Sequence, residues 1–86
     1  MASKMPKNIV GERIREARLN AKMTQVQLHA QIELRGVDID YTAISKIENR
    51  TLLMNDIVLA AVVDALEVDP RWLLQSDEKK SNEPEL

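Results

Sequence analysis

The 86-residue sequence predicts an all-α domain of five short helices, and three observations lead there. Aliphatic residues recur at three- and four-residue spacing, the period of a helix with one buried face. Residues that cap helices, among them Asn8, Thr24, Asp40, Asn55 and Asp69, stand ahead of the apolar stretches. The chain has no Phe, one Trp and one Tyr, so Leu, Ile, Ala and Met must build the core, as they do in small helical bundles.

Asn8 is placed to cap a first helix of about residues 9 to 22, in which Val10, Ile14 and Ala17 form an inward stripe beside Arg13, Arg15 and Arg18. Thr24-Gln25-Val26-Gln27 opens a second helix, of about residues 25 to 35, with Thr24 as cap and Gln27 able to reach back. Its candidate inward residues are Leu28, Ile32 and Leu34. Gln25 stands at the amino end, where backbone N–H groups and the helix dipole favour an anion such as a DNA phosphate.

The joining segment Arg35-Gly36-Val37-Asp38-Ile39-Asp40 supplies a glycine to end that helix in a left-handed conformation and an aspartate to cap the next. The third helix, about Tyr41 to Asn49, divides into two sides at about 100° per residue. Ala43, Ile44 and Ile47 share one side; Tyr41, Thr42, Ser45, Lys46 and Asn49 fan across the other, with Glu48 at the border. Two short helices in succession suggest a helix-turn-helix, and the outward polar set suits DNA.

Arg50-Thr51-Leu52-Leu53-Met54 leads to Asn55, the expected cap of a fourth helix ending near Glu67. Its run Ile57 to Val63 leaves no polar face. With Leu59, Val62, Val63 and Leu66 assigned to the core, Ile57, Val58 and Ala61 are expected to join Leu52, Leu53 and Met54 in an exposed patch, the mark of an association surface. An isologous homodimer through this patch would set two third helices about 34 Å apart, the spacing of a palindrome's half-sites. Asp69-Pro70 starts a short fifth helix, since proline at the first helical position needs no N–H partner, and Arg71-Trp72-Leu73-Leu74 covers the core. Residues 1–8 are read as a flexible arm, residues 9–74 as the domain and residues 75–86 as a disordered acidic tail.

Composition excludes several classes of function. The longest apolar run is too short to cross a bilayer and the first residues contain no apolar signal core, which leaves the cytoplasm as the expected location. No Cys and a single His leave no metal site, and no paired nucleophile and base resembles a catalytic set, so neither an enzyme nor a cofactor is expected. The only glycines, Gly11 and Gly36, form no phosphate-cradling loop. Net charge is −2, yet residues 1–50 hold nine Lys and Arg against six Asp and Glu, whereas residues 51–86 hold three against eight. A phosphate backbone responds to local potential, so the basic first half can still bind DNA, with modest and salt-sensitive affinity.

Taken together, Gly11-Glu12-Arg13-Ile14-Arg15, Met23-Thr24-Gln25, Leu28, Ile44-Ser45-Lys46-Ile47-Glu48-Asn49 and Ala65-Leu66-Glu67-Val68 resemble the lambda-type repressor and Cro family, also called the XRE family. The resemblance covers about residues 9 to 74 and implies a lambda-repressor-like DNA-binding domain whose third helix enters the major groove. It assigns base contacts to Tyr41, Thr42, Ser45 and Lys46, and phosphate contacts to Gln25 and Asn49; Arg50 adds electrostatic grip. It also pairs Arg18 with Glu48 to position the third helix.

The sequence departs from the family pattern in three places. Gln25 to Glu48 is about five residues longer than the commonest spacing, so the turn is enlarged, as in a branch with an Arg-Gly-Val-Asp-Ile-like stretch. His29 replaces a small residue, so either the helices splay or the ring tilts outward. Thr51-Leu52-Leu53-Met54 lacks the lysine or arginine that relatives use on the backbone. The expected function is a small transcriptional regulator, a repressor bound as a dimer to a palindromic operator. The alternative is a protein-interaction module on the same fold, such as an antitoxin or anti-repressor partner, and regulation by a protein partner is compatible with both.

Overall fold

In the computed structural model, which describes residues 5–75, the chain winds through five helices: α1 (Gly11–Asn20), α2 (Gln25–Leu34), α3 (Ala43–Glu48), α4 (Asp56–Leu66) and α5 (Pro70–Leu74). No strand occurs among the described residues, and no helix there is long and apolar enough to cross a membrane. The first four residues of the expected arm, and residues 76–86 of the expected tail, lie outside the described residues.

Local chemistry sets each boundary. Asn8 Oδ1 accepts the N–H groups of Val10 (3.2 Å) and Gly11 (2.8 Å) and so satisfies donors that the first turn of α1 leaves open. At α2, Thr24 Oγ1 accepts the Gln27 N–H at 3.0 Å while Gln27 Oε1 accepts the Thr24 N–H at 2.8 Å, a complete capping box. Gly36, at φ 82°, ends α2: its N–H returns to Glu33 O and the Val37 N–H to Ile32 O, the two bonds of a Schellman motif. The same pair of returning bonds ends α1 and α3, with Lys22 and Arg50 in the left-handed position although neither is glycine. Asn55 Oδ1 caps α4 through the Val58 N–H at 2.9 Å, and Asp69 Oδ1 caps α5 through the Arg71 N–H at 2.8 Å.

α3 begins later than the sequence suggests. The Asp40 carboxylate accepts the Thr42 N–H at 3.1 Å, which holds Tyr41 and Thr42 in a turn ahead of the helix.

Val10, Ile14 and Ala17 of the first segment close on Leu28 and Ile32 of α2, on Ile44 and Ile47 of α3, and on Val58, Ala61, Val62 and Leu66 of α4, with Leu73 of α5 beneath. α1 and α2 both pack on α3 and on α4, so α3 rests on two helices at once. Each fully buried aliphatic side chain contributes roughly 1.5–3 kcal/mol of transfer free energy. α5 is drawn in by Arg13, whose guanidinium lies 5.2 Å from the Trp72 ring centroid and donates to Trp72 O at 3.0 Å.

Three expectations are corrected here. Val58 and Ala61 are 7% and 6% exposed and belong to the core, because Val58, Ala61, Val62 and Leu66 form the stripe that faces α1 and α2. The apolar patch is therefore smaller, built on Leu53 and Ile57, with Leu52 and Met54 half-buried. Leu34 is exposed, since at 200° from Ile32 it points away from the core. Lys7 and Asn8 belong to the fold rather than to an arm: the Lys7 N–H donates to Arg50 O at 2.9 Å, and Asn8 is buried.

Candidate nucleic-acid interface

The face of α3 that points away from α1 and α2 is polar. Ala43, Ile44 and Ile47 are buried beneath it, while Thr42, Lys46 and Asn49 are exposed and Ser45 is half-buried. Tyr41 is 60% exposed at the leading edge. Together these residues offer hydroxyl, amide and ammonium groups within two helical turns.

Behind this face lies a buried ion pair. Arg18 Nε meets Glu48 Oε2 at 2.7 Å and Nη2 donates to Oε1 at 3.0 Å, a two-pronged contact, while Nη1 donates to Met23 O at 2.8 Å. The hydrogen bonds that Arg18 donates to Glu48 raise the Arg18 pKa further above its ordinary value, against the opposing effect of burial. Gln25 Nε2 also donates to Glu48 Oε1, at 3.0 Å. One carboxylate therefore ties α1, α2 and α3 together. Such a pair fixes geometry more than it adds net stability, because desolvation offsets much of the attraction.

Two further residues hold the same end of α3, and sequence reading missed their role. Asn8 Nδ2 donates to Ile47 O (3.1 Å) and Leu52 O (2.9 Å), so both ends of its side-chain amide are used. At Gly11 a Cβ would stand 2.1 Å from Ile47 O, which permits only glycine where the start of α1 meets the end of α3. The available signal was one of only two glycines at a helix start, three residues after a capping asparagine.

The leading end is organised differently. His29 Nε2 donates to Ile39 O at 2.8 Å, and the Tyr41 ring stands edge-on to His29 with centroids 5.9 Å apart. The ring thus fills the space under the enlarged turn, and Glu33 Oε2 lies 3.7 Å from it. The Asp40 carboxylate also accepts the Thr42 hydroxyl; these bonds from Thr42 hold the Asp40 carboxyl below its ordinary 3.8.

Gln25, Asn49 and Arg50 come together around one open groove of about 860 Å³, which α1 lines with Glu12, Arg15 and Glu16. Arg50 is turned toward α1: Nε donates to Asn8 O and Nη1 to Glu12 Oε2, both at 3.3 Å. Outside this groove, Leu53 and Ile57 are 73% and 65% exposed. Among the described residues no cluster of His, Cys, Asp and Glu is arranged to hold a metal.

No family model and no curated protein matches this sequence. Among solved structures, the P22 c2 repressor, crystallised in complex with synthetic operator 9T in the presence of Tl+, superimposes with a TM-score of 0.67 at 31% identity, over 81% of this chain and 98% of the repressor chain. This chain belongs to the lambda-repressor-like helix-turn-helix family. The hypothetical transcription factor NHTF from Neisseria shares the fold, with a TM-score of 0.70 at 18% identity over 95% of this chain and 94% of that one. In this lambda-repressor-like chain, α2 and α3 are the two helices of the motif, and residues 35–42 form the enlarged turn between them.

Proposed function

We propose that this protein is a sequence-specific DNA-binding transcriptional regulator, a repressor that occupies a palindromic operator as a dimer and obstructs polymerase. The observation that carries the reading is α3 itself: a helix with its isoleucines buried, its trailing end fixed by Arg18, Asn8 and Gly11, and Thr42, Ser45 and Lys46 turned outward. Thr42 and Ser45 read base edges by hydrogen bonding, Lys46 donates to a base acceptor, and Tyr41 joins them at the edge of the turn. Gln25 retains one amide hydrogen beyond its bond to Glu48, and with Asn49 and Arg50 it contacts phosphates around the groove. The likeness to a repressor solved on its operator supports the reading. The enlarged turn favours the XRE branch with an extended link between the motif's helices, working in the cytoplasm without a cofactor.

Selection of bound duplexes from a random pool tests this. A palindromic site should emerge, with log K falling by roughly 0.9 per phosphate contact against log salt. Thr42→Ala with Lys46→Ala should abolish site preference, and unchanged preference would remove α3 from the reading role. The dimer rests on Leu52, Leu53, Met54 and Ile57; Ile57→Asp should shift a micromolar sample from dimer to monomer in sedimentation. A wild type that stays monomeric with its DNA present would refute the dimer.

One observation favours a second reading: exposed Leu53 and Ile57 suit a protein partner as well as a second copy. A protein-interaction module, of antitoxin or anti-repressor type, would select no DNA sequence from the pool.

A further inference from the structure

At the leading turn of α3 the side chains sort by hydrogen-bonding sense. Asp40 Oδ2 accepts both donors that Thr42 owns, its backbone N–H at 3.1 Å and its hydroxyl. A hydroxyl has a single proton, so the Thr42 oxygen offers only lone pairs to anything outside. Asp40 Oδ1 has no partner among the described residues and is likewise an acceptor. Both residues are exposed. The carboxylate is not on a free loop, because the neighbours on either side are held by one ring: the Ile39 carbonyl by His29 at 2.8 Å and Tyr41 by its edge-on packing.

Four residues after Thr42, on the same side of the helix, exposed Lys46 supplies an ammonium with donors and no acceptor. The edge therefore changes from acceptor to donor over about 6 Å of helix axis, less than two base-pair steps. A carboxylate beside phosphates is electrostatically unfavourable unless a donor rewards it. In the major groove guanine shows two acceptors, thymine an acceptor and a methyl, and adenine an acceptor next to its amino group; cytosine alone shows a bare amino donor.

Building on the reading of α3 as a DNA-reading helix, we propose that Asp40, oriented by Thr42, is a specificity-determining residue that selects cytosine under the leading turn, while Lys46 takes a guanine within two base pairs. The carboxylate acts as much by rejecting wrong bases as by binding the right one.

The test is selection from duplexes randomised over the half-site, using the full chain and its Asp40→Asn, Asp40→Ala and Lys46→Ala variants. The wild type should enrich cytosine at one position by about ten-fold over guanine or thymine. Asp40→Asn should move that position to adenine, whose amino group and N7 match an amide, and Asp40→Ala should level it. Both should keep the neighbouring guanine, which only Lys46→Ala removes; that retention also reports an intact fold. If Asp40→Ala is poorly folded, Asp40→Asn decides alone, because its amide oxygen still accepts from Thr42. A cytosine preference untouched by either Asp40 substitution, or an even gain in affinity for all sequences, makes the carboxylate a turn cap and overturns the inference while leaving α3 as the reader. A wild type that enriches no sequence overturns both.

Discussion

At its trailing end α3 meets buried and fully paired polar groups: Glu48 between Arg18 and Gln25, and the Ile47 carbonyl against Asn8 and the bare Cα of Gly11. At its leading end the controlling groups sit at the surface, with Asp40 on Thr42 and Tyr41 over His29. Burial makes hydrogen bonds costly to lose, whereas exposed bonds compete with water. The trailing end therefore decides where the helix lies, and the leading end decides what it offers to a partner.

If that contrast is right, substitutions at the trailing end should damage the fold and those at the leading end should mainly change what is bound. Glu48→Ala leaves the Arg18 guanidinium buried without its counter-charge and should cost about 3–5 kcal/mol in urea unfolding, a large share of a small domain's total. A loss below about 1 kcal/mol would mean that water reaches the pair. Gly11→Ala drives a methyl into a backbone carbonyl, which cannot swing aside as a side chain can, and should cost about 3 kcal/mol with a lowered melting temperature. Asn8→Ala strands the Leu52 carbonyl and the capped Val10 and Gly11 N–H groups, while Ile47 O keeps only its bond from the Arg50 N–H, and should cost about 1–3 kcal/mol, again read by unfolding.

The smallest effect belongs to the leading end. Asp40 titrates below 3.8 in the folded chain, so its bonds to Thr42 contribute stability above the ordinary carboxylate value and lose it as pH falls through the lowered one. Thr42→Val should move the Asp40 carboxyl back toward 3.8 in an NMR titration and leave the melting temperature nearly unchanged. A large drop in melting temperature would place structural weight at this end and erase the contrast.

The same distinction explains what was legible in the sequence. Caps and the inward stripes of α1 and α3 depend on residues a few positions apart, so Thr24-Gln27, Gly36 and Ile44-Ile47 could be read directly. α4 has a readable cap in Asn55 but no readable stripe, since Ile57 to Val63 is apolar all round and periodicity cannot choose its phase; the surfaces of α1 and α2 choose it, and they bury Val58 and Ala61. Asn8 and Gly11 act on Ile47 across most of the domain, and no local pattern announces that contact. Lys22 and Arg50 take left-handed positions without glycine, so those two helix ends are invisible to residue type. In the candidate site, the division of α3 into inner and outer faces was readable, whereas the commitment of Gln25 to Glu48 and of Arg50 to Glu12 depends on tertiary packing.

The central claim is that the outer face of α3 meets DNA. Backbone and side-chain NMR shifts, followed as a selected duplex is added, test it most directly. Thr42, Ser45, Lys46 and Asn49 should show the largest changes, with Leu59 and Val63 of α4 unmoved. Changes centred on α4, with those four residues of the α3 face unmoved, would contradict it.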